Sequence, residues 1–152
     1  MTTERFRTLA PTLLLGTGML LFVSLFLDWR SISVTAGVVV DAGQSGWSGW
    51  GAAAGGLLAS MLALELIALV RGVELGGAVD AIVLGLALGV LVLVSAAFAD
   101  STVSVFVGPV TVETGTREWP AYAALVLASI QAVLAFVPLL PERTPRQVVS
   151  MR

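Results

Sequence analysis

Apolar residues gather into four long runs, separated by short segments of a different pattern. The first run extends from Ala10 to about Leu27 and ends at Asp28-Trp29-Arg30. The second extends from about Trp47 to Val70, ends at Arg71 and holds one charge, Glu65. The third, Ala81 to Ala99, is uncharged and ends at Asp100. The fourth, Pro120 to Leu140, is also uncharged and stops at Pro141. A hydrocarbon layer of about 30 Å takes roughly 20 apolar residues of helix. Backbone groups in that layer must bond within their own segment, so each run predicts a transmembrane helix. The first run follows Arg5 and Arg7 and precedes Val34-Thr35-Ala36, which has the look of a cleaved signal sequence. It is longer than a usual signal core, and the small residues lie well past its end, so a retained helix is expected.

On the outer side the pattern becomes one of β-branched stretches. Thr102–Val107 and Val110–Thr114 flank Gly108-Pro109, which predicts a hairpin. Ser31–Thr35 and Val38–Val40 flank Ala36-Gly37 and predict another. Period two puts Ile32 and Val34 on one face of the first, and Val103, Val105 and Val107 on the equivalent face of the second. A lone hairpin is marginal in water. The two are therefore expected to share one four-stranded sheet above the helices.

The two halves of the chain also resemble each other. At an offset of 71 residues, Gly18, Val23, Ser24, Ser33, Val34, Gly37 and Val39 meet Gly89, Val94, Ser95, Ser104, Val105, Gly108 and Val110. At an offset of 69, Trp50, Ala52, Ala54, Leu58, Ala59, Ser60 and Ala63 meet Trp119, Ala121, Ala123, Leu127, Ala128, Ser129 and Ala132. The expected fold is thus an all-α membrane protein with β additions. It is a four-helix transmembrane bundle of two tandem helix–hairpin–helix repeats, about 10–71 and 80–141, capped by a small extracellular sheet. Tails 1–9 and 141–152 complete one domain. Both units insert in the same sense, as parallel repeats.

Charge sets the orientation. Arg5, Arg7, Arg71, Arg143, Arg146 and Arg152 fall on one side. Arg30 and Arg117 fall on the other, with Asp28, Asp41, Asp100, Glu113 and Glu118. The positive-inside rule then puts both termini in the cytoplasm of a multi-pass cell-membrane protein. Trp29, Trp47, Trp50, Trp119 and Tyr122 lie at the outer ends of the runs and predict an interfacial aromatic belt.

Composition agrees. Of 152 residues, 57 % are hydrophobic and 12 % charged, and the mean hydropathy is +0.98. That excludes an ordinary soluble domain and a basic nucleic-acid binder. The chain has no Cys and no His, and its eight basic residues are all Arg. Thiol, imidazole and Schiff-base chemistry are therefore absent. The Arg-only, Ala/Gly/Val/Leu-rich composition points to a GC-rich bacterial source.

Four spans, a β-rich first outer segment and Gly46-Trp47-Ser48-Gly49-Trp50 resemble the claudin-type tetraspan layout. The chain departs from it in lacking the two loop cysteines and in sharing its strands equally between the two outer segments. Phe26-Leu27-Asp28-Trp29 is also similar to the end of the first helix in small actinobacterial membrane proteins, with Asp for Pro, a resemblance that implies no function.

Among residues able to carry chemistry, Glu65 is the ionisable group clearly inside a run. Such a group is a functional candidate by default. It also lies six residues before Arg71, with which it can pair. Asp80 precedes the third run, where a helix-capping carboxylate is favoured. Gln131 is placed to hydrogen-bond across the bundle. Ser24, Ser60, Ser95 and Ser129 are expected to bond back to their own helices. Gly51 and Gly55 have the spacing of a helix-packing pair. Asp28, Arg30 and Asp100 suggest an ion-pair cluster tying the cap to the bundle. With Trp29, Trp47, Trp50 and Trp119 they form the candidate outer interaction surface, whereas Glu65, Gln131, Arg71 and Asp80 form the candidate intramembrane polar site. No catalytic, cofactor or metal site is expected.

Three functions follow in order. The first is a non-enzymatic accessory, scaffold or assembly subunit, meeting lipid and either a like copy or another membrane protein through its cap. The second is a small proton- or cation-coupled channel or transporter using Glu65. A membrane enzyme comes last.

Overall fold

The computed structural model describes residues 3–35, 39–72, 77–100, 102–107, 110–114 and 116–140. Ala36-Gly37, Gly108-Pro109 and the tail arginines 143, 146 and 152 lie outside the described residues, as do the side chains of Arg5, Arg7 and the alternating valines of both hairpins. Four helices dominate: α1 (Thr3–Ser24), α2 (Trp50–Arg71), α3 (Gly77–Ala99) and α4 (Trp119–Phe136). Two strands, β1 (Asp28–Thr35) and β2 (Val39–Ser45), lie between α1 and α2. Three more, β3 (Thr102–Val107), β4 (Val110–Thr114) and β5 (Thr116–Arg117), lie between α3 and α4.

Three of these helices are long and apolar enough to cross a membrane: Trp50–Arg71, Gly77–Ala99 and α4 with its 3-10 extension, Trp119–Leu139. The apolar part of α1 is shorter, Leu9–Ser24. The outward faces are apolar, with Val70 77 %, Val92 66 % and Val133 65 % exposed. Water would penalise a contiguous surface of that kind, and lipid does not. The helices close a ring in which α1 packs on α4, α4 on α3, α3 on α2, and α2 back on α1. Leu14, Leu21, Leu58, Met61, Val83, Val90 and Val94 fill its centre. Ala121, Ala124 and Ala128 on the inner face of α4 are buried, and their small side chains let neighbouring backbones come close.

The helix ends differ from those expected. α1 stops at Ser24, three residues before Leu27. The amides of Leu25, Phe26 and Leu27 bond to Phe22, Val23 and Ser24, one residue tighter than an α-helix, and β1 then begins. α2 begins at Trp50, not Trp47, because Gly46–Gly49 make a turn in which Gly49 has a φ of +54°. α3 begins at Gly77, so Asp80 lies inside its first turn and not ahead of it. α2 ends on Gly72, whose left-handed backbone lets its N–H reach Ala68 and Leu69. α2 and α3 then pack against each other along the bundle.

The shared four-stranded sheet is not formed. One sheet has three strands in the order β2-β1-β5, and β3 and β4 pair separately. On the other side of β1, Arg117 and Thr116 of β5 pair with Arg30 and Ser31 only. The strands of each hairpin are antiparallel, with Val34 opposite Val40 in the first and Val107 opposite Val110 in the second.

β1 carries a bulge. Asp28 pairs with Ser45 and Arg30 with Gln44, so Trp29 is an extra residue between them. A bulge of this kind re-aims a side chain. Trp29 is turned into the top of the bundle, 2 % exposed, and its indole N–H donates to the carbonyl of Ser24 at 2.8 Å. Trp29 therefore belongs to the core and not to the aromatic belt. Trp29→Phe keeps an aromatic ring but leaves the Ser24 carbonyl with only its longer bond from the Leu27 amide, and is expected to cost about 0.5–1.5 kcal/mol in detergent-solubilised thermal unfolding. An unchanged midpoint would remove the role given to the indole N–H.

Candidate functional site

Two places gather the polar and aromatic residues that the helices do not need. The outer one is the junction of cap and bundle. α3 ends with free carbonyls at the negative end of its dipole and has no basic residue in its own last turn. Two arginines from the cap supply the missing donors. Arg30 on β1 is 8 % exposed and donates to the carbonyl of Ala97 and, at 3.0 Å, to Gln44 Oε1. Arg117 on β5 donates through Nε to the carbonyl of Phe98 at 2.8 Å and through Nη2 to that of Ala99 at 3.4 Å. Its guanidinium also lies 5.0 Å from the Phe98 ring centre. Thus Arg30 and Arg117, which resemble topology markers in the sequence, both cap one helix.

The same seam has further links. Ser31 Oγ donates to Glu118, the Glu118 amide donates to the Trp29 carbonyl at 2.8 Å, and Thr116 Oγ1 donates to the Ser31 carbonyl at 3.0 Å. Asp28 is exposed and its carboxylate lies over Gly43, where a Cβ would meet Oδ2 at 2.6 Å. Asp100 follows α3, with its amide bonded to Ala96 at 2.9 Å. Arg30 is thus a buried cap on the end of α3. Arg117 is more exposed, so Arg117→Gln is expected to cost less than about 1 kcal/mol in the same unfolding assay. A loss larger than that of Arg30 variants would reverse this order.

The aromatic residues divide into two groups. Trp47 stacks on Phe26 with ring centres 5.2 Å apart and meets Phe22 edge-on at 5.6 Å. Trp50, Trp119 and Tyr122 stay more than half exposed at the starts of α2 and α4. Gly51 and Gly55 do not serve a helix-to-helix contact. A Cβ on Gly51 would lie 1.7 Å from the Gly46 carbonyl oxygen, and one on Gly55 2.3 Å from the Trp47 ring. Their side-chain space is filled by the turn that precedes their own helix.

The inner place is the polar set Glu65, Asp80, Gln131 and Arg71. Glu65 is 7 % exposed on α2. Arg71 is exposed at the end of that helix, and no hydrogen bond or ion pair reaches Glu65 among the described residues. Asp80, not Arg71, lies within electrostatic reach of it. Gln131 is fully buried on α4, and neither Nε2 nor Oε1 has a hydrogen-bond partner. An unmet buried group of this kind costs about 1–3 kcal/mol. The structure thus brings Glu65 and Asp80 together and leaves Arg71 and Gln131 apart from them in bonding. The serines bond back as expected at Ser24, Ser60 and Ser129, to the carbonyls of Leu21, Gly56 and Leu125.

Among the described residues, no group of three or more acidic, His or Cys side chains is placed to hold a metal ion. No known family matches the chain, and no curated protein or solved structure matches it.

Proposed function

We propose that this chain is a non-enzymatic, four-span subunit of a bacterial cell membrane, built by tandem duplication, which assembles through its extracellular cap. Both termini lie in the cytoplasm, and the claudin-type likeness is one of layout. The observation that carries the reading is the double clamp of Arg30 and Arg117 on α3. A cap fixed at two points to a helix is a rigid platform, and a rigid surface loses little entropy when it binds. Its sheet keeps usable edges: β2 is terminal, and β5 spans only Arg30 and Ser31 of β1. Such edges accept a further strand. Exposed Trp50 and Trp119 add large aromatic surface beside it. Purification from the source membrane in mild detergent is expected to yield a stoichiometric partner or a defined homo-oligomer. A lone monomer that gains no partner on chemical crosslinking in intact membranes would overturn the reading.

The second reading is a small proton- or cation-coupled channel or transporter using Glu65. One observation favours it: among the described residues Glu65 has an acidic neighbour and no arginine partner. Flux into liposomes that falls in Glu65→Gln would support it. Flux that is absent, or unchanged in the variant, removes it.

A further inference from the structure

We propose that the bundle interior beside Gly18 is a binding site for water, which bridges the carboxamide of Gln131 on α4 to the carboxyl of Glu65 on α2. The site goes beyond both functions above, since it is needed whether or not the cap binds anything and whether or not anything crosses the membrane.

Three observations converge on it. First, Gln131 is 0 % exposed, and its donor and acceptor are both unpartnered. Buried polar groups in folded proteins are nearly always bonded, to protein or to ordered water. Second, Glu65 is also buried, with no bonding partner among the described residues. Third, the two are at neighbouring depths. Leu62 and Gln131 are each twelve residues past the tryptophan that opens their helix. A Cβ added at Gly18 on α1 would meet Gln131 Nε2 and Leu62 Cδ2, each at 2.6 Å. The carboxamide therefore lies against Leu62. Glu65 is three residues further along the same helix face, where Cβ atoms are about 5–6 Å apart. Helical side chains lean towards the N-terminus, which for Glu65 is towards the level of Leu62.

The chemistry selects the ligand. Glu65, its acidic neighbour Asp80 and one carboxamide are too few ligands for a bare cation, and no group of three acidic, His or Cys side chains occurs among the described residues. A water molecule needs about two to four polar partners, and it both donates and accepts. It takes the Nε2–H of Gln131 and gives its own protons to Oε1 or to Glu65. Gly18 makes the approach possible, because any side chain there would occupy the position of the amide.

The test uses the sparse amide content of the chain. It has three glutamines, Gln44, Gln131 and Gln147, and no asparagine. In the full-length protein, labelled with 15N-glutamine and held in lipid nanodiscs, three side-chain NH2 pairs are expected. Gln131→Met assigns one of them. That pair is expected to give a direct cross-peak to water, and Glu65→Leu is expected to shift the pair and weaken the cross-peak. A Gln131 pair without a water cross-peak overturns the site. A cross-peak untouched by Glu65→Leu overturns the bridge. Thermal unfolding adds a second readout: Gln131→Met lowers the midpoint if the amide is hydrated, and raises it if the amide is bare, which would also overturn the proposal.

Discussion

Gly51→Ala is expected to lower the thermal unfolding midpoint by about 6–12 °C, although it adds a single methyl group. The reason is the obstacle that group meets. Its Cβ would lie 1.7 Å from the carbonyl oxygen of Gly46 and 2.9 Å from the carbonyl carbon. Both are backbone atoms, so no rotamer change gives way. Either the start of α2 or the Gly46–Gly49 turn must move by more than an ångström. That turn has little freedom. Gly46 is pressed by the Trp29 indole, its amide bonds to the Leu27 carbonyl at 3.1 Å, and Gly49 needs its left-handed backbone. Overpacking in a tight core costs about 1–3 kcal/mol, and a clash between backbones lies at the upper end or beyond. Gly56→Ala is the matched control on the same helix. Nothing lies within 4 Å of its Cβ position, and alanine favours helix over glycine by about 1 kcal/mol, so it should be neutral or stabilising. Equal effects of the two substitutions would show that the Gly51 contact does not govern this junction. Intrinsic tryptophan fluorescence is a suitable probe, since Trp29 packs against this turn and Trp47, within it, packs on Gly55.

The helices were legible in the sequence because hydrocarbon imposes a length and an apolar content that few other structures share. The strands Thr102–Val107 and Val110–Thr114 were legible to the residue, because β-branched stretches bounded by Gly-Pro have few alternatives. What escaped was everything that depends on a distant backbone. β5 is two residues long and exists only because β1 lies beside it. The bulge at Trp29 follows from the register of Asp28 and Arg30 against β2, which no local pattern encodes. Gly51 and Gly55 have the spacing of a helix-packing pair, yet their neighbours are Gly46 and Trp47, a few residues upstream. At the inner site, Glu65, Asp80 and Gln131 stood out by type, as polar residues in or beside apolar runs. Their surroundings did not: Arg71 was nearer to Glu65 in sequence, but the acidic Asp80 is the charged group that acts on it. The single signal that set Arg30 and Arg117 apart was that they fall in the β-rich segments, away from the other six arginines. A charge count registers that placement as orientation, because the acceptors are carbonyls and carry no side-chain signature.

The second large effect is expected at one of those two arginines. Arg30→Met keeps most of the buried stem of the side chain and removes its guanidinium. The Ala97 carbonyl and Gln44 Oε1 then lose their donor. Both lie where the cap meets the helices, and water has little access to a site that Arg30 fills at 8 % exposure. Hydrogen bonds to charged groups contribute about 1.5–3 kcal/mol, and α3 also loses a cation from the negative end of its dipole, so a total near 2–4 kcal/mol is expected. Arg30→Lys should recover only part of this. An ammonium keeps the charge but lacks the planar fork that reaches two acceptors at once. The loss is also expected to be local. Amide hydrogen exchange should rise in β1 and β5, which pair through Arg30 and Ser31, while α2 and α3 remain protected against each other. Uniform deprotection of all four helices would mean that Arg30 supports the bundle as a whole and not the seating of its cap. No change in exchange at β1 would mean that Arg117 and the Glu118–Trp29 backbone bond hold the sheet without it.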